Sequence, residues 1–93
     1  DITAVACYND QIAMQVIKEL DKMGLSVPDD ISVTGFDDSA IAKEVGLTTV
    51  THPKDELGKK SAEVLIKLMN GEKVQEHEIM KTELVVRRST RKI

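Results

Sequence analysis

The stretch Val27-Pro28-Asp29-Asp30-Ile31-Ser32-Val33-Thr34-Gly35-Phe36-Asp37-Asp38 decides the fold of this chain. Pro28 and the two acids after it favour a turn, because proline presets φ and short acidic side chains bond to nearby backbone. Ile31 to Phe36, carrying Ile31, Val33 and Phe36, then has the pattern of a short strand. Asp37, Asp38 and Ser39 end it and offer caps to a short helix through Ile41, Ala42 and Val45. A strand entered from a turn and left into a helix is half of a crossover unit, so helices and parallel strands should flank it.

Upstream, Ile2 to Cys7 reads as a short buried strand. Asn9 and Asp10 offer an N-cap to a helix with Ile12, Ala13, Val16, Ile17, Leu20 and Met23 on one face. Gly24 stops that helix as a left-handed cap. Downstream, Leu47 to Thr51 is a third, β-branched strand, and His52-Pro53 holds the chain extended. A long helix follows from about Lys54 to Met69, with Leu57, Ser61, Val64, Leu65 and Leu68 on its apolar side, and Asn70-Gly71 ends it. Ile79 to Arg87 reads as a last strand, with Met80, Leu84 and Val86 on one face and Lys81 and Glu83 on the other. The order β-α-β-α-β-α-β implies an α/β fold, a mostly parallel sheet with flanking helices.

Composition narrows the function classes. Ninety-three residues allow one domain at most, and 41% hydrophobic with 31% charged residues is ordinary for a globular chain. Tyr8 and Phe36 are the only aromatics, too few for a stacking platform on single-stranded nucleic acid. A net charge of −3 gives no attraction to polyanions, and the basic cluster Arg87, Arg88, Arg91 and Lys92 reads as a solvated tail. The lone cysteine, Cys7, lies in an apolar run, so a buried, reduced thiol and a cytoplasmic setting are expected. No apolar run approaches the roughly 20 residues that span a bilayer, and no membrane partner is expected. The chain opens directly on a strand without an initiator methionine, which reads as a piece of a longer protein.

In open parallel sheets, ligands bind beyond the carboxyl ends of the strands. Tyr8-Asn9-Asp10, Asp37-Asp38-Ser39 and His52 all fall at such ends. The carboxamide of Asn9 can donate and accept, and the carboxylate of Asp37 is a strong acceptor, a pairing suited to vicinal sugar hydroxyls. The same residues also serve as caps and turn formers, and both readings stand at this point. Asp38 and Asp10 are read as caps and Asp37 as the ligand group. His52 is open among ligand donor, loop histidine and pH-sensitive hinge, and His77 is read as exposed. Asp37, Ser39 and His52 include triad residue types, but no nucleophile elbow surrounds Ser39. No metal set and no phosphate-cradling glycine run emerges, so neither enzyme nor cofactor is expected.

The deciding stretch, with its proline-acid turn, Asp-Ile, strand and Gly-Phe-Asp-Asp, resembles the sugar-responsive repressors of the LacI/GalR family. Tyr8-Asn9-Asp10 with Ala13, Leu47-Thr48-Thr49-Val50, Leu57-Gly58 with Ala62 and Leu65, Asn70-Gly71, and Glu83-Leu84-Val85-Val86-Arg87-Arg88-Ser89-Thr90 follow in family order. His52-Pro53-Lys54 is similar to the arabinose-repressor kind. The resemblance implies a fragment of a periplasmic-binding-protein-like (type I) clamp of two subdomains. Residues 1–51 would be part of the C-terminal subdomain, helix 54–70 would lie in the N-terminal one, and 79–93 would return. It implies Asn9, Asp37 and His52 as ligand-binding residues. Lys54 stands where relatives often carry an aromatic, which leaves ring stacking there open.

The function so implied is the sugar-sensing part of a bacterial transcription repressor. Its partners would be a small-molecule effector, and DNA only through a head outside this chain. A homodimer or swapped assembly is expected, because the leucine-rich helix and an unpaired sheet edge invite self-association. A periplasmic sugar-binding protein of a transport system is the competing reading, and a small α/β enzyme a third.

Overall fold

The computed structural model describes residues 1–93. The elements run β1 (Ala4–Ala6), α1 (Asp10–Lys22), β2 (Ser32–Thr34), α2 (Ala40–Val45), β3 (Thr49–Thr51), α3 (Lys54–Met69) and β4 (Glu83–Val85), in the expected order. They divide into two compact units: residues 1–51 with 83–93, and residues 52–82.

In the first unit β1 pairs with β2 in parallel, Val5 opposite Val33, and Thr34 forms a parallel bridge to Thr48. β3 then pairs antiparallel with β4, Val50 opposite Leu84. The parallel arrangement therefore holds from β1 to the start of β3 and ends at β4. Ala13 and Leu20 of α1 pack with Val33, Ala42 and Leu47 to form the core, with Val16, Ile17, Ile31 and Val45 against it. α1 stops after Lys22, and the turn continues through Gly24 at φ 78°. α2 ends at Gly46, whose φ of 76° is left-handed; a β-carbon there would also meet the Arg88 side chain at 2.6 Å.

Several local expectations are corrected. The last strand spans Glu83–Val85 rather than Ile79 to Arg87, because β3 offers only three residues to pair with. Its apolar side is not covered: Leu84 and Val86 are exposed. Cys7 is half-buried rather than buried. The basic terminus is not all solvated tail. Arg91 and Lys92 are exposed, but Arg87 is half-buried and Arg88 Nε donates to the Val45 carbonyl at 2.8 Å.

Ser89 explains why that segment is ordered. It is buried, its hydroxyl donates to the Val33 carbonyl at 2.6 Å, and its Oγ accepts from the Thr48 amide at 2.7 Å. One hydroxyl thus satisfies backbone groups of two neighbouring strands, which a buried position requires.

The second unit consists of α3 and the segment after it. Asp55 and Glu56 in its first turn and Lys67 in its last suit the helix dipole. None of its side chains is buried; Leu57, Leu65 and Leu68 are about half exposed. Lys60 pairs with Glu78 at 3.4 Å. No helix is long and apolar enough to cross a membrane.

Candidate functional site

The loops after β1 and β2 meet in the first unit. Asn9, Asp10, Gln11, Asp37, Ser39, Ala40 and Ile41 line an open cleft of about 340 Å³ there. Asn9 is the N-cap of α1, its Oδ1 accepting from the Ile12 amide at 2.9 Å. The capping bond occupies the oxygen and leaves the carboxamide N–H groups as donors towards a ligand. Capping α1 therefore leaves this side chain with hydrogen-bond donors to spare.

Asp37 has φ 112° and Asp38 φ 52°, two consecutive non-glycine residues in the left-handed region. Such backbone is disfavoured unless its surroundings fix it. They do. The Asp37 amide donates to the Val50 carbonyl at 2.9 Å and the Asp38 amide to Thr49 Oγ1 at 3.3 Å. Arg87 Nη2 lies 2.8 Å from Asp38 Oδ1, while Arg87 Nη1 donates to the Leu47 carbonyl at 3.0 Å.

Two expected caps have other work. Asp38 pairs with Arg87 and does not cap α2; Ser39 takes the N-cap position, without a capping bond from its own side chain. Asp10 is the first residue of α1, not its cap, and is 1% exposed. Its Oδ2 accepts from the Ser39 amide at 2.7 Å and its Oδ1 from the Thr49 hydroxyl at 2.6 Å. Its own amide donates to the Phe36 carbonyl at 3.1 Å. Gly35 makes room for it: a β-carbon there would overlap the Asp10 carboxylate and come within 2.8 Å of Leu47 Cδ2.

The structure thus brings Asn9 and Asp37 to one cleft. His52 is half-buried at the start of the second unit, directly after β3, with its carbonyl accepting from the Lys54 amide at 2.8 Å. His77 is exposed. Sequence reasoning missed Thr49 and Arg87 as supports of the cleft. No local pattern signals them, because Thr49 meets Asp10 from 39 positions away and Arg87 meets Asp38 only where the chain returns past β3. Chemically the cleft offers a carboxamide, a carboxylate and an apolar wall from Ile41, a set for hydrogen-bonding a small polyol. No cluster of three or more His, Cys, Asp or Glu side chains could hold a metal ion.

The profile of the periplasmic binding protein-like domain matches residues 2–90. The chain is 47% identical over 95 residues to an arabinose metabolism transcriptional repressor of Geobacillus stearothermophilus, covering 98% of this chain and 26% of that protein. It is 40% identical over 97 residues to the HTH-type transcriptional repressor PurR of Vibrio campbellii, covering 98% and 28%. The chain spans about a quarter of the length of these curated relatives. Among solved structures, a lac repressor dimer bound to operator and the anti-inducer ONPF superposes with a TM-score of 0.85 at 33% identity, over 95% of this chain and 32% of that one. A periplasmic binding protein/LacI transcriptional regulator of Alkaliphilus metalliredigens, complexed with D-xylulofuranose, gives 0.86 at 34% identity, over 97% and 35%.

Proposed function

The chain belongs to the periplasmic binding protein-like domain family, and from that premise we propose that it is part of the effector-sensing domain of a LacI-type transcription repressor. The observation that carries this reading is the pairing of Asn9 and Asp37 at one cleft, on loops after adjacent parallel strands. Carboxamide donors and a carboxylate acceptor match vicinal hydroxyls, each of which gives and takes a hydrogen bond. His52 is the third ligand residue in this reading.

Residues 1–51 are assigned to the C-terminal subdomain of a clamp, the helix 54–70 to the N-terminal subdomain and 79–93 to the returning segment. A sugar that favours the closed clamp shifts the subdomain equilibrium, and the whole protein changes its affinity for DNA. The protein acts as a dimer in the cytoplasm, carries out no reaction and needs no cofactor. DNA contact is made by a head outside this chain.

The test is a calorimetric titration of the full-length protein with pentoses and hexoses, beginning with L-arabinose because a relative is named for arabinose metabolism. The expected result is binding that disappears in Asp37→Ala. Absence of binding by any sugar, in a well-folded protein, would point to another effector class.

A further inference from the structure

The ligand reading makes no use of Asp10, although both oxygens of its carboxylate are held beside the cleft. The residue is 1% exposed, and both carboxylate oxygens are taken up by the protein itself. Both oxygens accept short hydrogen bonds, from the Ser39 amide at 2.7 Å and the Thr49 hydroxyl at 2.6 Å. Its amide donates to the Phe36 carbonyl at 3.1 Å.

These three bonds bracket Asp37. Phe36 precedes it and Ser39 follows the Asp37-Asp38 pair, so the two left-handed residues are pinned at both ends by one side chain and its own backbone. Thr49, which Asp10 holds, accepts in turn from the Asp38 amide at 3.3 Å. Asp10 is also bonded in sequence to Asn9, so the same anchor fixes the first turn of α1, which Asn9 caps.

We propose that Asp10 is a positioning residue of the effector site, its buried carboxylate holding Asn9 and Asp37 in the geometry that receives a ligand's hydroxyls. This rests on reading Asn9 and Asp37 as the ligand groups. Charge-assisted bonds to backbone N–H are among the stronger hydrogen bonds, which suits a group that must hold disfavoured backbone in place.

The test uses the full-length protein, with L-arabinose and D-xylulose as probes by calorimetry and peptide-level hydrogen exchange as a ligand-free readout. Asp10→Ala is expected to weaken binding of the sugar that the wild type takes by about tenfold or more. Asp10→Asn, which keeps the shape and one acceptor, is expected to recover part of the loss. In an Asp37→Asn background, Asp10→Ala should add little, because it acts through that loop. Exchange should quicken at amides 36–39 while β1 and the interior of α1 stay protected. If Asp10→Ala does not fold, Asp10→Asn and Thr49→Val carry the same comparison.

A role in stability alone would lower the melting temperature and leave the affinity of the folded protein unchanged; that result overturns the proposal. So does unchanged exchange at 36–39. If the wild type binds neither sugar, the reading as a sensor of those sugars falls, and the exchange result alone decides whether Asp10 holds the loop.

Discussion

Arg87 reaches Asp38 from 49 positions along the chain, its guanidinium 2.8 Å from the carboxylate and also bonded to the Leu47 carbonyl. Both side chains are mostly enclosed, at 20% and 12% exposure. Removing one partner therefore leaves a poorly solvated charge, the circumstance in which an ion pair matters. Arg87→Met is expected to lower stability by about 2 kcal/mol, read by urea unfolding. Arg87→Lys should restore only part, because an ammonium lacks the planar fork that meets carboxylate and carbonyl together.

In the proposed effector site, Asp37 sets stability against binding. At φ 112° its backbone suits glycine and strains any residue with a β-carbon. Asp37→Gly is expected to raise stability by about 1 kcal/mol while abolishing sugar binding. Asp37→Ala should lose binding without the gain. Thermal melts and calorimetry on both variants check this; a Gly variant less stable than the Ala variant would contradict it.

The elements were legible because they rest on local chemistry. Alternation across Ile31 to Phe36, three- and four-residue spacing from Ile12 to Leu20, and the helix stop at Gly24 depend on neighbours within a few positions. The presence of Asn9 and Asp37 at strand ends was legible for the same reason. What the side chains bind was not. Capping is the ordinary local use of aspartate and the role that sequence implies for Asp10 and Asp38, but their partners are Ser39, Thr49 and Arg87, 29, 39 and 49 positions away. In sequence Arg87 belongs to a charge run of the kind usually exposed, and only the return of the chain past β3 gives it a carboxylate.

Gly35 should tolerate no side chain. An added β-carbon would overlap the Asp10 carboxylate, a group fixed by two bonds, so relaxation must break one of them. Gly35→Ala is expected to cost about 3 kcal/mol, through overpacking and a displaced buried carboxylate. Gly24→Ala, where nothing lies within 4 Å of the new carbon, should cost only about 1 kcal/mol from its positive φ. Parallel urea unfolding of the two variants measures the difference.

Burial pushes the Cys7 thiol pKa up, because desolvation disfavours the thiolate. The folded state thus holds its proton to higher pH than the unfolded state does. Between the ordinary thiol value and the raised one, the folded protein binds more protons, so this contribution to stability is present below that window and fades as pH rises through it. Iodoacetamide labelling should be slow at neutral pH and show a midpoint above that of a free thiol. A midpoint at or below it would contradict the shift.

The face of α3 gives a prediction for the 93-residue chain by itself. Leu57, Leu65, Ile66, Leu68 and Met69 all remain between 47% and 76% exposed, and no side chain of the helix is buried. Each such side chain leaves apolar surface in water at about 25 cal/mol per Å², and five on one helix exceed what a lone soluble domain usually shows. The isolated chain is expected to self-associate, with light scattering giving a mass above that of a monomer and rising with concentration. Replacing Leu65 and Leu68 by glutamine should restore a monomer while leaving the first unit folded, since Val33, Ala13 and Leu47 of its core come from other elements. A wild-type monomer with well-dispersed NMR spectra would show instead that the exposed face is tolerated in water.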